Sequence, residues 1–423
     1  MIQEILAQHA EEAAFLWLLR SDAVSAPHYT LKDLFDLEER IEAHLDGLRV
    51  AGDAGWGICE EQLELSEIGE VFAAGYMALD GAREAGLEAV LKTVEAAPET
   101  SAGLVSALGW VEKEKLQGHA VNWLNADAAL LRWLGLSACS IQRVDCGAYI
   151  ARAADDADPL VRARSLRCIG EIRRRDLGQS LIDHLQDDDE GCRFWSAWSG
   201  ALLGEARGLE SLRGFVETPS PFSEPALELA LRALEMPVAG QWLRELSGRP
   251  ELARLVVQGS GCFGDPASIP WLIEKMKTAE LARVAGEALS LITGLDLAYQ
   301  DLEGEAPAGF EAGPTENPED EAVAMDADED LPWPEPQLIA DWWAVNQQRF
   351  PTGQRLLCGQ PITQEHCMQV LKNGYQRQRR AAAIELAMLS PDEPFFNTSA
   401  TARHQMLVLR QPNNLGCSQS GSG

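Results

Sequence analysis

The sequence has few basic residues. It contains 35 Lys and Arg against 66 Asp and Glu, which gives a formal charge of −31. A charge of this sign and size repels nucleic acid and anionic membranes, and it speeds association with basic proteins. We therefore expect no nucleic-acid or membrane partner and favour a basic protein partner. Solubility alone explains the acidity equally well.

The sequence also lacks features that would direct it out of the cytoplasm. Its first residues carry no basic region of the signal-peptide type, and its longest apolar run, Ala13–Leu19, is far shorter than the roughly 20 residues that span a membrane. The nine cysteines form no Cys-x-x-Cys pair. Several lie on apolar helical stripes, which is typical of free thiols in a reducing compartment. These features predict a cytoplasmic location.

β-Branched residues are sparse, and strict alternation of apolar and polar residues is not sustained over five positions, so no β-strand is predicted. Helical spacing recurs instead, most clearly over 158–297. There a turn signal, Asp158-Pro159, precedes apolar residues spaced for one helix face: Val161, Leu166 and Ile169. A second helix is predicted at 178–185 and ends in the acidic turn 187–190.

The two-helix unit repeats. Cys192–Ala197 followed by Leu203–Glu205 resembles Val161–Ala163 followed by Ile169–Glu171, at an offset of 31 to 34 residues. A period of about 30 residues with two helices per unit is typical of an α-solenoid. The chain of 423 residues is also longer than one compact core usually serves. The predicted fold class is all-α, an α-solenoid of two-helix repeats.

The repeats resemble a known type. Gly264–Ile273, and Asp158 with Val161–Ala163, are similar to the short bacterial HEAT-like repeats, also called phycobilisome-lyase-type HEAT repeats. The resemblance implies a structural Arg that binds an Asp in a neighbouring turn. The residues that match this position are Arg162, Arg193, Arg254 and Arg283.

We divide the chain into five parts. A helical cap at 1–57, whose second helix begins at Thr30 as N-cap, precedes the HEAT-like repeat solenoid at 58–300. The segment 301–336 has thirteen Asp or Glu and no Lys or Arg, so it is expected to be flexible. It is either a solvated spacer or an arm that covers a basic site on a partner. A C-terminal helical cap at 337–411 and a disordered tail at 412–423 follow.

The C-terminal cap contains a basic stretch at Arg377, Arg379 and Arg380. These arginines either hold the acidic segment by charge or form a solvated helix face.

Motifs for catalysis or for cofactor and metal binding are not found. The seven histidines are scattered, and the one local cluster, Glu365-His366-Cys367, has no further ligand at metal-site spacing. The chain has no phosphate-binding loop and no nucleophile elbow. Iron-binding HEAT-like hydroxylases carry His-Glu dipeptides on successive repeats, and no His in this sequence is followed by Glu. We expect a protein that is not an enzyme and binds neither a metal nor a cofactor.

The candidate partner-binding residues combine acidic side chains with nearby tryptophans, because Trp is enriched in interface hot spots. Most of the twelve tryptophans are expected in the core instead. The candidates form two groups, one around the turn 187–190 and one around the end of the acidic segment. They are Asp187, Asp188, Asp189, Glu190, Trp195, Trp198, Asp326, Asp328, Glu329, Asp330, Trp342 and Trp343.

Nearly the full length also resembles a family of bacterial HEAT-like proteins that occur alongside type VI secretion effectors. The resemblance lies in Glu12–Trp17 with Arg20, Ala43–Gly52, Ala285–Leu297 and Trp342-Trp343. Together with the absence of catalytic motifs and the acidic composition, this resemblance favours an immunity protein that binds and neutralises a co-produced basic toxin, with a nuclease as one candidate. The alternative is an adaptor or chaperone that loads an effector onto the secretion spike, and an enzyme is a third, less favoured class. The oligomeric state stays open.

Overall fold

The computed structural model describes residues 2–310, 312–313 and 325–410. The described residues divide between two compact units. Unit 1 lies within 1–25, 29–203 and 390–423, and unit 2 within 26–28 and 204–389. The predicted tail at 412–423 falls outside the described residues.

Unit 1 is built from consecutive helices that pack as pairs, and the first helices of successive pairs, such as α8, α10 and α12, lie side by side. Residues predicted on the inward stripe of α10, including Val161, Leu166 and Ile169, are fully buried. The helices are α1 Gln3–Ala23, α2 Leu31–Ala51, α3 Asp53–Gln62, α4 Ile68–Asp80, α5 Glu84–Ala96, α6 Ser101–Trp110, α7 Lys113–Leu124, α8 Ala129–Ile141, α9 Ala148–Ala154, α10 Pro159–Glu171, α11 Gly178–Asp183 and α12 Glu190–Leu203.

The predicted N-cap of α2 is confirmed. The Thr30 side chain accepts a hydrogen bond from the Asp33 backbone N–H, and the Asp33 carboxylate accepts one from the Thr30 N–H. This reciprocal pair satisfies two of the N–H groups that a helix start leaves unbonded.

Unit 2 repeats the pattern, with α14, α16 and α18 packed in one layer. Its helices are α13 Ala206–Glu217, α14 Ser223–Ala233, α15 Met236–Ser247, α16 Ala253–Phe263, α17 Ile269–Lys275, α18 Ala279–Thr293, α19 Pro336–Asn346, α20 Gln364–Asn373 and α21 Gln376–Leu389. The architecture within both units confirms the predicted class, an all-α solenoid of two-helix repeats.

The prediction of no β-strand is wrong for a short hairpin in unit 2. Leu356–Leu357 pairs antiparallel with Gln360–Pro361. Cys358 and Gly359 between them have φ of 47° and 83°, as a two-residue hairpin turn of the primed type requires. The Leu356 and Cys358 N–H groups donate to the carbonyls of Gly264 and Leu291. The hairpin thus closes the C-terminal ends of α16 and α18, and its two-residue strands are too short to show an alternating pattern.

The residues of the predicted C-terminal cap, 337–411, are divided between the two units. Its residues up to Leu389 belong to unit 2, whereas Ser390 onward belongs to unit 1. There the last described helix, α22 Ala402–Arg410, packs on α2. The Ala402 backbone N–H donates to the buried Glu38 carboxylate, which also pairs with Arg20 at 3.0 Å.

Close packing of α4 against α6 predicts a large effect at Gly103. A Cβ at Gly103 would lie 2.2 Å from the Ile68 carbonyl oxygen, which is backbone and cannot move aside cheaply. We expect Gly103→Ala to lower the free energy of unfolding by about 1–3 kcal/mol, as overpacked cores do. Urea unfolding of the purified chain measures this effect.

The matched control is Gly118→Ala on α7, where a Cβ meets nothing within 4 Å. Alanine there should leave the stability unchanged or raise it by up to about 1 kcal/mol, because it restricts the unfolded chain. Equal stability of the two variants would contradict the packing argument.

Candidate partner-binding site

An arginine near the start of α10 joins two neighbouring turns of unit 1. The Arg162 Nε and Nη2 donate to the two carboxylate oxygens of Asp187 at 3.1 and 2.9 Å. Its Nη1 donates to the carbonyl oxygens of Asp156 and Ala157 at 2.9 and 3.1 Å. The guanidinium therefore binds the turn before its own helix and the carboxylate of the turn before the next one. We call this arrangement an arginine bridge.

The same bridge occurs one repeat earlier. The Arg132 Nε and Nη2 donate to Asp156 at 2.7 and 2.8 Å, and its Nη1 donates to the carbonyls of Ala126 and Asp127. Asp156 lies three residues before the start of α10, as Asp187 does before α12. The predicted structural role of Arg162 is confirmed, and Arg132 is a further member that the sequence comparison did not include.

Arg193, one repeat later, makes half of the bridge. Its Nη1 donates to the Asp187 and Asp188 carbonyls at 2.7 and 2.9 Å. The position three residues before α14 is Ser220, which offers no carboxylate. The predicted contact of Arg193 with an Asp carboxylate is therefore replaced by contacts with two backbone carbonyls.

The acidic turn 187–190 thus divides into structural and exposed side chains. Asp187 keeps only 8% of its side chain exposed, and Asp189 accepts a hydrogen bond from the Cys192 N–H at 2.8 Å. Asp188 and Glu190 are exposed. Of the four predicted contact residues, these two carry the carboxylates that a partner can reach directly.

The two tryptophans of this group lie inward of the turn. Trp195 is half-buried and stacks with the Arg167 guanidinium at 4.4 Å. Trp198 is buried, with 7% exposed, and packs edge-to-face on Phe395. Trp198 therefore acts as a core residue in this structure, and a partner could reach only part of Trp195.

Beneath Trp195 lies a buried charge cluster that the sequence did not reveal. The Glu171 carboxylate accepts hydrogen bonds from Arg164 at 2.7 Å, Arg167 at 2.9 Å and the Ser140 hydroxyl, with Arg143 at 3.5 Å. Burial by itself raises the pKa of Glu171, but the three guanidiniums outweigh it and hold the pKa far below its usual range. Glu171 therefore stays ionised, and it pairs with the Arg167 side chain on which Trp195 stacks.

In unit 2 the acidic turn needed for an arginine bridge is missing from the local sequence. The residue three positions before α18 is Met276, which is 3% exposed and belongs to the core. Arg254 instead pairs with both oxygens of Asp328, 74 residues downstream, at 2.7 and 2.6 Å. A segment from outside the repeat supplies the missing carboxylate.

Arg283 also binds this downstream segment. Its Nη1 donates to the Asp328 carbonyl at 2.8 Å, and its Nη2 to the Asp326 carboxylate at 2.6 Å. Asp326 in turn accepts from the Asp328 N–H at 3.0 Å, as Asp187 accepts from Asp189. The sequence Asp326-x-Asp328 thus shares the internal hydrogen bond of the Asp187-x-Asp189 turn, but the arginine of the preceding helix binds its second Asp instead of its first. Arg254 and Arg283 are structural, as predicted, but their Asp partners come from the acidic segment.

Two aromatic residues that sequence reasoning missed enclose Arg283. Its guanidinium lies 4.5 Å from the Trp333 ring and 5.6 Å from the Phe310 ring. The backbone on either side of Trp333 is paired, since the Glu335 N–H donates to the Leu302 carbonyl at 2.9 Å and the Gly304 N–H donates to the Trp333 carbonyl at 2.8 Å. A Trp close to Asp326-x-Asp328 in sequence was the signal that could have pointed to this enclosure.

The expectation of a flexible segment at 301–336 does not hold for its described residues. Leu302 and Leu331 are 9% and 5% exposed, and Glu303 forms a β-bridge with Pro334. Composition alone predicted disorder because it did not include the cations that compensate the charge, Arg254 and Arg283. Residues 311 and 314–324 of the segment lie outside the described residues.

The remaining candidates of this group differ in access. Glu329 and Asp330 are exposed, and Asp330 lies 3.9 Å from His28. Trp343 is 9% exposed and belongs to the core of unit 2, against which Trp342 packs half-buried. The structure thus brings Asp326 and Asp328 into the arginine bridge and leaves Glu329 and Asp330 outward.

The basic stretch of α21 contacts other helices of unit 2. Arg377 pairs with Glu287 at 2.9 Å, Arg380 pairs with Glu228 at 3.1 Å, and the buried Arg379 donates to the Leu371 carbonyl at 2.7 Å. These contacts join α21 to α18, α14 and α20.

Glu365 and His366 of the Glu365–Cys367 cluster line a cleft of about 460 Å³. The His366 Nε2 lies 2.7 Å from the Leu357 carbonyl, and Cys367 is fully buried. Within the described ranges, no three His, Cys, Asp or Glu side chains converge to hold a metal ion. Among the same residues, no helix is both long and apolar enough to span a membrane.

Comparison with protein families identifies part of this chain. Residues 148–235, from α9 to just beyond α14, match the family model of HEAT repeats. The match shows HEAT-like repeats in the chain, and such repeats commonly mediate protein–protein interactions. A search of curated proteins returns no match.

Because Asp328 supplies the carboxylate that Arg254 lacks locally, we predict that the stability of unit 2 depends on Asp328. Its side chain is 7% exposed, and that of its partner Arg254 is 40% exposed. We expect Asp328→Asn to lower the free energy of unfolding by roughly 1–3 kcal/mol, because the variant leaves a guanidinium without its carboxylate. Glu329→Gln is the control and should change stability by less than about 0.5 kcal/mol. A spacer role of the segment would give two equally stable variants in urea unfolding.

The bridge in unit 1 predicts a pH dependence. Hydrogen bonds from Arg132 hold the pKa of Asp156 below its ordinary value, and partial burial only partly opposes them. The stability from a lowered pKa is present above the ordinary Asp pKa of about 3.9, and is lost as the pH falls through the lower folded-state pKa. Asp156→Asn should therefore be less stable than the parent at pH 7, and the difference should shrink below about pH 4. A difference that is the same at pH 7 and pH 3 would exclude an ionised Asp156 as its source.

Proposed function

We propose that this chain is a non-catalytic cytoplasmic immunity protein that binds a toxic effector of a type VI secretion system and neutralises it. The toxin is proposed to be a basic protein, with nucleases as the favoured class. The observation that carries the proposal is a charge of −31 on a chain with HEAT-like repeats. The likeness to proteins found alongside type VI effectors, in Glu12–Trp17 and Ala285–Leu297, supplies the secretion system.

Exposed carboxylates support a basic partner. Asp188 and Glu329 project outward beside carboxylates that are already bound by arginines. The arginine bridges fix the backbone of both turns, so the outward acids stand in defined places without folding on binding. A fixed negative surface speeds encounter with a basic protein, and its effect falls with salt.

Neutralisation follows from competition for the same surface. A toxin that cleaves nucleic acid must present cations to the phosphate backbone. Carboxylates of turns that the arginine bridges hold in place would bind those cations and exclude the nucleic acid without any chemical step. The proposal therefore needs no catalytic group, metal or cofactor in this chain.

A titration of toxin activity tests the proposal. The toxin co-produced with this chain is purified, and its nuclease activity is measured against increasing amounts of the chain at low and high salt. We expect loss of activity at a one-to-one ratio and weaker binding at high salt. Activity that persists at excess chain would overturn the immunity proposal.

Charge variants sharpen the test. Asp188→Asn with Glu329→Gln should slow association several-fold with little change in dissociation, because rim charges act on the on-rate. Asp36→Asn on α2, where Asp36 pairs with Lys32, is the matched control and should bind as the parent does. Binding without inhibition would favour the adaptor that delivers an effector.

A further inference from the structure

The outer face of α1 carries apolar side chains that nothing in the described structure covers. Phe15, Leu18 and Leu19 are 55%, 36% and 41% exposed. Leu18 and Leu19 lie three and four positions after Phe15, so both neighbour it on the helix surface. Ile5, 47% exposed, lies on the same side nearer the start. We call these four residues the α1 patch.

The exposure of these side chains does not come from poor packing of α1. The opposite face of α1 packs on α2, α3 and α4, and Leu16 and Trp17 are 1% and 3% exposed. The Trp17 indole N–H donates to Ser106 at 2.8 Å. The outer face of a surface helix is normally polar, so large apolar side chains gathered there are typical of a contact surface. An occupant of this face would bury them.

The charges around the patch determine the kind of occupant. Glu4, Glu11 and Asp22 are exposed on α1. The basic side chain of α1, Arg20, is buried and bound to Glu38 and to the Ser399 and Ala400 carbonyls. The outward side of α1 is therefore acidic at both ends of the patch and offers no cation.

A neighbouring helix adds to the acidic rim. Glu70 of α4 is half-buried, and Glu67 at the start of α4 is exposed. Burial raises the pKa of Glu70, and the nearby carboxylates of Glu67 and Glu11 raise it further. These like charges repel one another, and a cation placed among them would relieve the repulsion.

A second copy of the chain fits the patch poorly. Two α1 helices paired antiparallel with Phe15 of one against Leu18 of the other would bring Glu11 against Asp22, and a parallel pair would bring each acid near its equivalent. Like charges opposed across an interface are unfavourable in either arrangement. The rim instead complements Lys and Arg.

We propose that the α1 patch is the docking surface for a basic amphipathic helix of the protein partner. The apolar side of that helix would cover Phe15, Leu18 and Leu19, and its Lys and Arg side chains would pair with Glu4, Glu11, Asp22 and Glu67. The proposal rests on the proposed function in one respect, that the partner is a basic protein. It adds where affinity arises, because large apolar anchors contribute more to affinity than rim charges.

A peptide probe tests the surface independently of the toxin. The probe is a fluorescein-labelled synthetic peptide with Leu on one helix face and Lys on the other, and its scrambled version has the same composition without the amphipathic spacing. Fluorescence anisotropy measures binding to the full chain. We expect the amphipathic peptide to bind at least about tenfold more tightly than the scrambled one, since only the first can place apolar anchors together.

Variants assign the binding to the patch. Phe15→Ser with Leu19→Ser should weaken peptide binding at least about tenfold, and Glu11→Gln with Asp22→Asn should reduce its salt dependence. The matched control is Val50→Ser with Leu65→Ser, which changes two exposed apolar residues, 82% and 62% exposed, outside the patch. Circular dichroism and thermal unfolding show that each variant is folded. Equal binding by parent and patch variant would overturn the proposal.

Two further outcomes separate this proposal from the proposed function. If the patch variant still inhibits the toxin as the parent does, the α1 surface is not the toxin-binding site, and the immunity function stands. If the parent fails to inhibit the toxin but binds the peptide through the patch, the docking surface stands and the immunity function fails. Concentration-dependent dimers that the patch variant abolishes would show that a second copy covers the patch, and would overturn a basic partner.

Discussion

The guanidinium that binds two turns at once is the contact on which the rest of this structure depends. Arg162 uses three nitrogens, two for a carboxylate and one for two carbonyls. Repeat structures are held by contacts between neighbours, and apolar packing alone would let one helix pair slide along the next. A bidentate bond has a fixed direction and length, so it sets the register between successive pairs. The carbonyls that Arg162 binds would otherwise lack partners in a tight turn.

Unit 2 shows that the bridge matters more than the origin of its carboxylate. Met276 occupies the position of the bridging Asp and contributes to the core, and Asp328 from 74 residues downstream replaces it. The acidic segment therefore has two parts in the described chain. Asp326 and Asp328 pair with arginines within the fold, whereas Glu329 and Asp330 are exposed. A partner therefore encounters less negative charge at the described part of this segment than its count of Asp and Glu suggests.

The sequence predicted what depends on local spacing. The start of α10 after Asp158 and the Thr30 cap follow from residues within one or two turns, and the resemblance to HEAT-like repeats supplied the bridging role of Arg162. It did not predict the partner of Arg254, because nothing near Arg254 in the chain indicates a contact with Asp328. The hairpin at Leu356 was missed for a similar reason, since its hydrogen bonds go to α16 and α18. Non-local contacts of this kind leave no period in the sequence.

The tryptophans of the candidate site were also misjudged from local sequence alone. Trp198 and Trp343 stand beside acidic residues in sequence, yet both are buried, because the helix turns them away from the acids toward the core. Exposed carboxylates alone contribute little to affinity, since solvated ion pairs give about 0–1 kcal/mol each. A tight partner therefore needs an apolar surface in addition to Asp188 and Glu329. Half-buried Trp195 offers part of a ring, whereas Phe15, Leu18 and Leu19 offer three adjoining side chains inside an acidic rim. Charge on the repeats would then set the rate of encounter, and α1 would set the lifetime of the complex.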